Sequence, residues 1–107
     1  MRNVTDRTSN PFGMRPDCER FVPGYGDANA DFHVVGDSPR VHGGADTGVP
    51  FTNDAGRRLQ DALVRAGLLR EAGDEPGVDR TFLSYLDMCV RDRPTTEAEY
   101  ADMDRFF

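Results

Sequence analysis

Apolar and polar residues change rhythm several times along this chain, and each change predicts an element. Residues 1–31 keep no sustained period. Pro11, Gly13, Pro16 and Pro23, then Gly24-Tyr25-Gly26-Asp27, break every run, so this stretch reads as an irregular arm with turns. Phe32-His33-Val34-Val35 is a short apolar run closed by Gly36, the pattern of a buried parallel strand. Residues 36–50 hold four Gly and two Pro and read as one long loop. Thr52 or Asn53 can cap the helix that follows, in which Leu59, Ala62, Leu63 and Ala66 fall at i, i+3, i+4 and i+7. Arg58, Asp61 and Arg65 take the opposite side, and Gly67 is a stop.

Glu71 to Asp79 reads as a polar connection. Thr81-Phe82-Leu83-Ser84-Tyr85-Leu86, rich in aromatic and β-favouring residues, reads as a second strand. Strand, helix and strand together imply a right-handed βαβ unit. Beyond Pro94, Thr96 and Glu99 have capping-box spacing and open a last helix whose apolar face carries Tyr100, Met103 and Phe107. So few elements leave a sheet with open edges and one uncovered face. The expected architecture is therefore an α/β parallel sheet that is incomplete, the N-terminal part of a larger domain. Residues 1–31 form its arm, and residues 32–107 belong to the domain proper.

Composition narrows the setting. The chain has 107 residues, enough for one small domain, with 37% hydrophobic and 30% charged residues, so its core is lean. Fourteen Asp and five Glu face thirteen Arg and no Lys, for a net charge of -6. Arg as the only strong base in an acidic chain suggests a salt-adapted source. An acidic chain that binds nucleic acid needs a local Arg patch, because phosphate contacts require positive charge. Cys18 and Cys89, 71 residues apart with no signal peptide, are expected as reduced thiols of a soluble cytoplasmic protein. No apolar run reaches the ~20 residues of a membrane span.

The strand end and the loop after it carry the candidate chemistry. Gly36 permits close approach of a ligand, Asp37 offers a carboxylate, Pro39 stiffens the turn, and Phe51 offers a flat face beside a helix N-terminus. By pattern alone the loop fits a phosphate or nucleotide site or a plain strand-to-helix connection.

In order and spacing, Gly36-Asp37-x-Pro39, Gly48-x-Pro50-Phe51 and Ala55-Gly56-Arg57-x-Leu59 resemble three active-site segments of the uracil-DNA glycosylase superfamily, in particular its archaeal and thermophilic family-four branch. Arg20, Val22, Gly24, Gly26 and Ala30 resemble the approach to the first motif. Cys89-Val90-Arg91-x-Arg93-Pro94, with Thr95 to Glu97, resembles a later Cys-Arg-Pro segment and helix start. The resemblance implies a three-layer fold and hydrolysis of the N-glycosidic bond of uracil flipped out of DNA, in base-excision repair, with no metal chemistry. It assigns water positioning to Asp37 and uracil stacking to Phe51. Gly36, Ser38, Pro39 and His42 join them as substrate-binding residues, as does Tyr85, which stands where the family has an Asn. Arg57, Arg91 and Arg93 are the DNA contacts. His33 reads as a core or edge histidine. Family-four enzymes hold an iron–sulfur cluster on four Cys, and Cys18 and Cys89 fall near two of those positions. Two thiolates do not suffice, so no cluster is expected. A degenerate or truncated protein that binds DNA or uracil without catalysis is the competing expectation.

Overall fold

A computed structural model describes residues 9–27, 29–78 and 80–106. The strands are β1 (Tyr25–Gly26), β2 (Phe32–Gly36), β3 (Leu69–Glu71), β4 (Gly77–Val78) and β5 (Thr81–Tyr85); the helices are α1 (Pro39–His42), α2 (Asp54–Arg65) and α3 (Glu97–Asp102). A 3₁₀ turn, Asp104–Phe106, follows α3.

The main sheet has the order β1-β5-β2 and is mixed: β2 runs parallel to β5, and β1 antiparallel to it. The register sets Phe32 beside Thr81 and Gly36 beside Tyr85, so both parallel strands end at the same level. Every residue of β5 is buried, as expected of a central strand. The expectation of a buried first strand is corrected. Among the described residues β2 pairs only with β5, and Phe32 (47%) and Val35 (42%) lie exposed. An apolar run bounded by Gly identifies a strand but cannot tell an edge from a centre.

Asn53 caps α2, its side chain accepting from the Gly56 amide at 2.8 Å. The face that α2 buries differs from the expected stripe. Gly56, Gln60 and Leu63 are buried, Leu59 is partly so, and Ala62 and Ala66 are exposed. Two specific contacts rotate the helix. Gly56 lies so close to the loop that an added Cβ would run into the His42 carbonyl oxygen and the Phe51 backbone. Gln60 is fully buried, and its amide donates to the Phe51 carbonyl at 2.6 Å and to the Gly73 carbonyl at 3.1 Å while accepting from the Gly73 amide at 2.9 Å. A buried amide with its bonds met outweighs the small gain from covering an alanine.

The polar connection after α2 contains the antiparallel pair β3–β4. The arm is ordered over its described part. β1 joins the main sheet, and Phe21 bridges to Cys89. The Val22 amide donates to the Met88 carbonyl at 2.8 Å and the Val90 amide to the Arg20 carbonyl at 2.9 Å. The capping box on α3 is present in both halves: Thr96 accepts from the Glu99 amide, and Glu99 from the Thr96 amide. Met103 is buried and Tyr100 half-buried, while Phe107 lies outside the described residues. No helix of the described residues is long and apolar enough to cross a membrane.

Gly56→Ala tests the α2 packing. Alanine raises helix propensity by ~1 kcal/mol, but overpacking against fixed backbone costs roughly 1–3 kcal/mol. We expect a net loss of stability, read as a lower urea midpoint at unchanged slope.

Candidate active site

Because β2 and β5 are parallel, the segments leaving their C-terminal ends emerge side by side, the place where open α/β sheets put ligands. Two backbone bonds continue the ladder past the strands. The Leu86 amide donates to the Gly36 carbonyl and the Asp87 amide to the Asp37 carbonyl, both at 2.9 Å. Asp37 is thereby fixed at the mouth of the loop with its side chain half-buried. Its Oδ1 accepts from the Tyr100 hydroxyl, and its Oδ2 lies 3.4 Å from the Ser38 hydroxyl.

The first four residues of the expected loop after Ser38 coil into α1, which carries His42 inward. The His42 ring meets the Phe51 ring edge-on at 5.4 Å and stacks on the Tyr85 ring at 6.3 Å. Burial lowers its pKa, and the Asp37 charge opposes that shift more weakly. His42 is therefore held toward the neutral form, with a buried Nδ1 that has no hydrogen-bond partner among the described residues. Gly36 closes this group from below, since a Cβ there would stand 2.5 Å from the Phe51 ring and 3.1 Å from His42 Cδ2.

The structure brings together Gly36, Asp37, Ser38, Pro39, His42, Phe51 and Tyr85. Phe51 is fully buried, with a φ of 63°. Its amide donates to the Tyr85 hydroxyl at 2.7 Å, and that hydroxyl donates to the Gly43 carbonyl at 2.8 Å. Phe51 thus has no open face for a base to stack on, and the Tyr85 hydroxyl is spent on the loop's own backbone. Burial pushes the Tyr85 phenol far above its usual range. Both aromatics build the floor of the site.

The expected DNA contacts separate. Arg57 is exposed on α2, 3.9 Å from Asp74. Arg91 and Arg93 are instead engaged by acids: Arg91 binds Asp87 at 2.7 Å and Glu99 at 2.5 Å, and Arg93 grips Glu99 through two bonds of 2.6 and 2.8 Å. Glu99 is held well below the usual carboxylate range, first by Arg93 and then by the Thr96 amide. His33 sits on the edge strand with Nε2 2.5 Å from the Ser84 hydroxyl, consistent with an edge histidine.

Two residues of this region escaped the sequence reading. Asp87 is fully buried and collects the Thr95 hydroxyl at 2.6 Å, the Arg91 guanidinium and the Cys89 amide at 3.1 Å. Its signal was a carboxylate set between Leu86 and Met88 at the end of an apolar run. The sequence pattern places Tyr100 on the apolar face of a helix, and its contact with Asp37 spans 63 residues of sequence that no local pattern encodes.

The cysteines correct an expectation. Cys18 and Cys89 are joined as a disulfide, S–S 2.13 Å, with Cα atoms 6.2 Å apart, and are not reduced thiols. Pairing of the arm with residues 88–90 brings them within reach. A cluster that needs four thiolates does not fit this donor set. The chain has two Cys in all, and the cavity of about 50 Å³ beside Cys89 is lined by Pro16, Asp17, Arg91, Asp102, Met103 and Arg105. Its two guanidiniums have no lone pair to offer a metal. Among the described residues no group of three or more His, Cys, Asp or Glu could hold a metal ion.

A half-buried carboxylate, an imidazole held toward the neutral form and a glycine with no room for a side chain are gathered where two parallel strands end, the position at which open α/β sheets bind ligands. The chain belongs to the uracil DNA glycosylase superfamily, whose family model matches residues 23–106. It is similar to the type-5 uracil-DNA glycosylase of Thermus thermophilus, 41% identical over 86 residues that cover 78% of this chain and 37% of the relative. It is also similar to the type-5 uracil-DNA glycosylase of Pyrobaculum aerophilum, 37% identical over 89 residues that cover 76% of this chain and 39% of the relative. The chain thus spans about two fifths of the length of these curated relatives.

Two measurements check this geometry. Tyr85→Phe leaves the buried Phe51 amide and Gly43 carbonyl without their shared partner, so chemical denaturation should show a loss of roughly 1–3 kcal/mol. Because the folded pKa of His42 lies below its unfolded value, its contribution to stability is complete above about pH 6.5 and is lost as pH falls through the folded value. The acid-side loss should therefore be smaller in His42→Gln than in the wild type.

Proposed function

We propose that this chain forms the N-terminal part of a uracil-DNA glycosylase that hydrolyses the N-glycosidic bond of uracil in DNA. The observation that carries the reading is Asp37, a half-buried carboxylate fixed by backbone bonds at the end of a parallel strand pair, with one oxygen left to a long contact. The names of the relatives support the substrate, and the motif order supports the residues.

In this reading the uracil nucleotide is extruded from the stack, and the base enters beside Gly36, Ser38, Pro39 and His42. Asp37 Oδ2 orients a water toward C1′ of the sugar and stabilises the positive charge that develops there. The water's oxygen bonds to C1′ as the C1′–N bond breaks and its proton passes to Asp37, while uracil departs as an anion that takes up a proton in turn, so that one water is divided between sugar and base. Neutral His42 contributes a hydrogen bond to the base without adding a charge. Phe51 and Tyr85 shape the floor by packing. Arg57, on the exposed face of α2, remains available to a phosphate.

The skewed acid balance further supports a salt-adapted protein, and a DNA substrate supports an intracellular place. A second reading, recognition of uracil or DNA without hydrolysis, is favoured by one specific observation: Arg91 and Arg93 are bound to Asp87 and Glu99, which weakens any phosphate grip.

Release of uracil from a single-stranded oligonucleotide, from low to molar salt, distinguishes the two. The catalytic reading expects release by the wild type and a fall of about 10²–10⁴ in rate for Asp37→Asn. Binding without release at every salt concentration would overturn it.

A further inference from the structure

We infer that Tyr100 is a positioning residue for the Asp37 carboxylate, holding one oxygen so that the other is presented to the attacking water. This rests on the glycosylase reading of Asp37.

The geometry begins with the contact itself. The Tyr100 hydroxyl donates to Asp37 Oδ1, so that oxygen is occupied, while Oδ2 has Ser38 at 3.4 Å. A carboxylate on a loop is free to rotate about its last bond unless something holds one oxygen, and a phenol on a fixed helix does this directionally.

The helix that carries Tyr100 is held from several sides. Its N-terminus is closed by the Thr96–Glu99 capping box. Glu99 is clamped by Arg91 and Arg93, and Thr95, just ahead of the helix, donates to buried Asp87 at 2.6 Å. Asp87 in turn bonds the Asp37 carbonyl through its own amide at 2.9 Å. The segment from Asp87 to Tyr100 therefore grips Asp37 twice, by its backbone and by its side chain. This gives Arg91 and Arg93 a task that phosphate binding does not explain: they anchor the element that aims the carboxylate.

The charged and titratable groups facing Tyr100 are Asp37 and Asp87, with the Thr95 hydroxyl beside them; Asp37 also faces His42. The hydrogen bond to Asp37 is the main cause that raises the Tyr100 phenol above its usual value. The phenol therefore remains a donor through neutral pH. When it ionises at strongly alkaline pH, the bond is lost and two anions meet.

Tyr100→Phe keeps the ring and removes the hydroxyl. With a uracil-containing single strand as substrate, kcat should fall between about tenfold and about a hundredfold, with KM little changed and thermal unfolding near that of the wild type. The wild type should lose activity at alkaline pH as the phenol ionises, and the Phe variant should lack that limb. In an Asp37→Asn background, Tyr100→Phe should have almost no further effect, because the group it serves is gone. Equal kcat in wild type and Tyr100→Phe, or fully additive losses in the double variant, would overturn the positioning role while leaving the glycosylase reading intact. Absence of release by the wild type at any salt concentration would overturn the glycosylase reading, and the positioning role with it.

Discussion

The hydroxyl of Tyr85, at the end of the buried central strand, receives the Phe51 amide and gives its proton to the Gly43 carbonyl, joining two ends of a loop to the sheet at one point. Around that bond Phe51 turns into the core with a positive φ, the His42 ring lies on the Tyr85 ring, and Gly36 must remain without a side chain. The Phe51 carbonyl then receives Gln60, which fixes α2. Loop, strand and helix are thus organised by buried polar groups whose bonds are met inside the fold. In so lean a core, such bonds do part of the shaping that apolar volume does elsewhere.

The candidate site grows from the same arrangement. Parallel pairing of β2 with β5 places the two departing segments together, and two further amide bonds extend the pairing to Asp37 and Asp87. A network of Asp87, Thr95, Arg91, Glu99 and Arg93 then fastens α3 across the opening. Electrostatically it is self-contained: two guanidiniums and two carboxylates face one another, so little net positive field is left at the mouth.

What the sequence made legible follows the range of the forces involved. The α2 cap at Asn53, the capping box of Thr96 and Glu99 and the strand from Thr81 are written in residues that interact within a few positions, and all were readable. The strands β1, β3 and β4 were not, because two or three residues carry no period and their pairing is decided by distant partners. The motif around Asp37 led to the family, yet it does not show that Phe51 is buried or that the Tyr85 hydroxyl is bonded to the loop backbone. Position within a motif says where a side chain stands and not whether its polar atoms are already taken, and here both aromatics are consumed by the fold. For Arg91 and Arg93 likewise, a basic pair in the sequence does not show that Glu99 lies between them. Tyr100 and the disulfide depend on contacts 63 and 71 residues long, which no local pattern contains.

The edge strand β2 has a colloidal consequence. It presents Phe32 and Val35 to solvent next to backbone groups that no described strand covers, a surface on which another chain could pair. Sequences commonly guard such an edge with lysine, and this chain has none. Its guard is collective: a net charge of -6 that keeps copies apart by long-range repulsion. That repulsion reaches about 30 Å at 0.01 M ionic strength and about 3 Å at 1 M. At molar salt the net charge therefore gives this edge little protection, and pairing with another copy is opposed there only at close range.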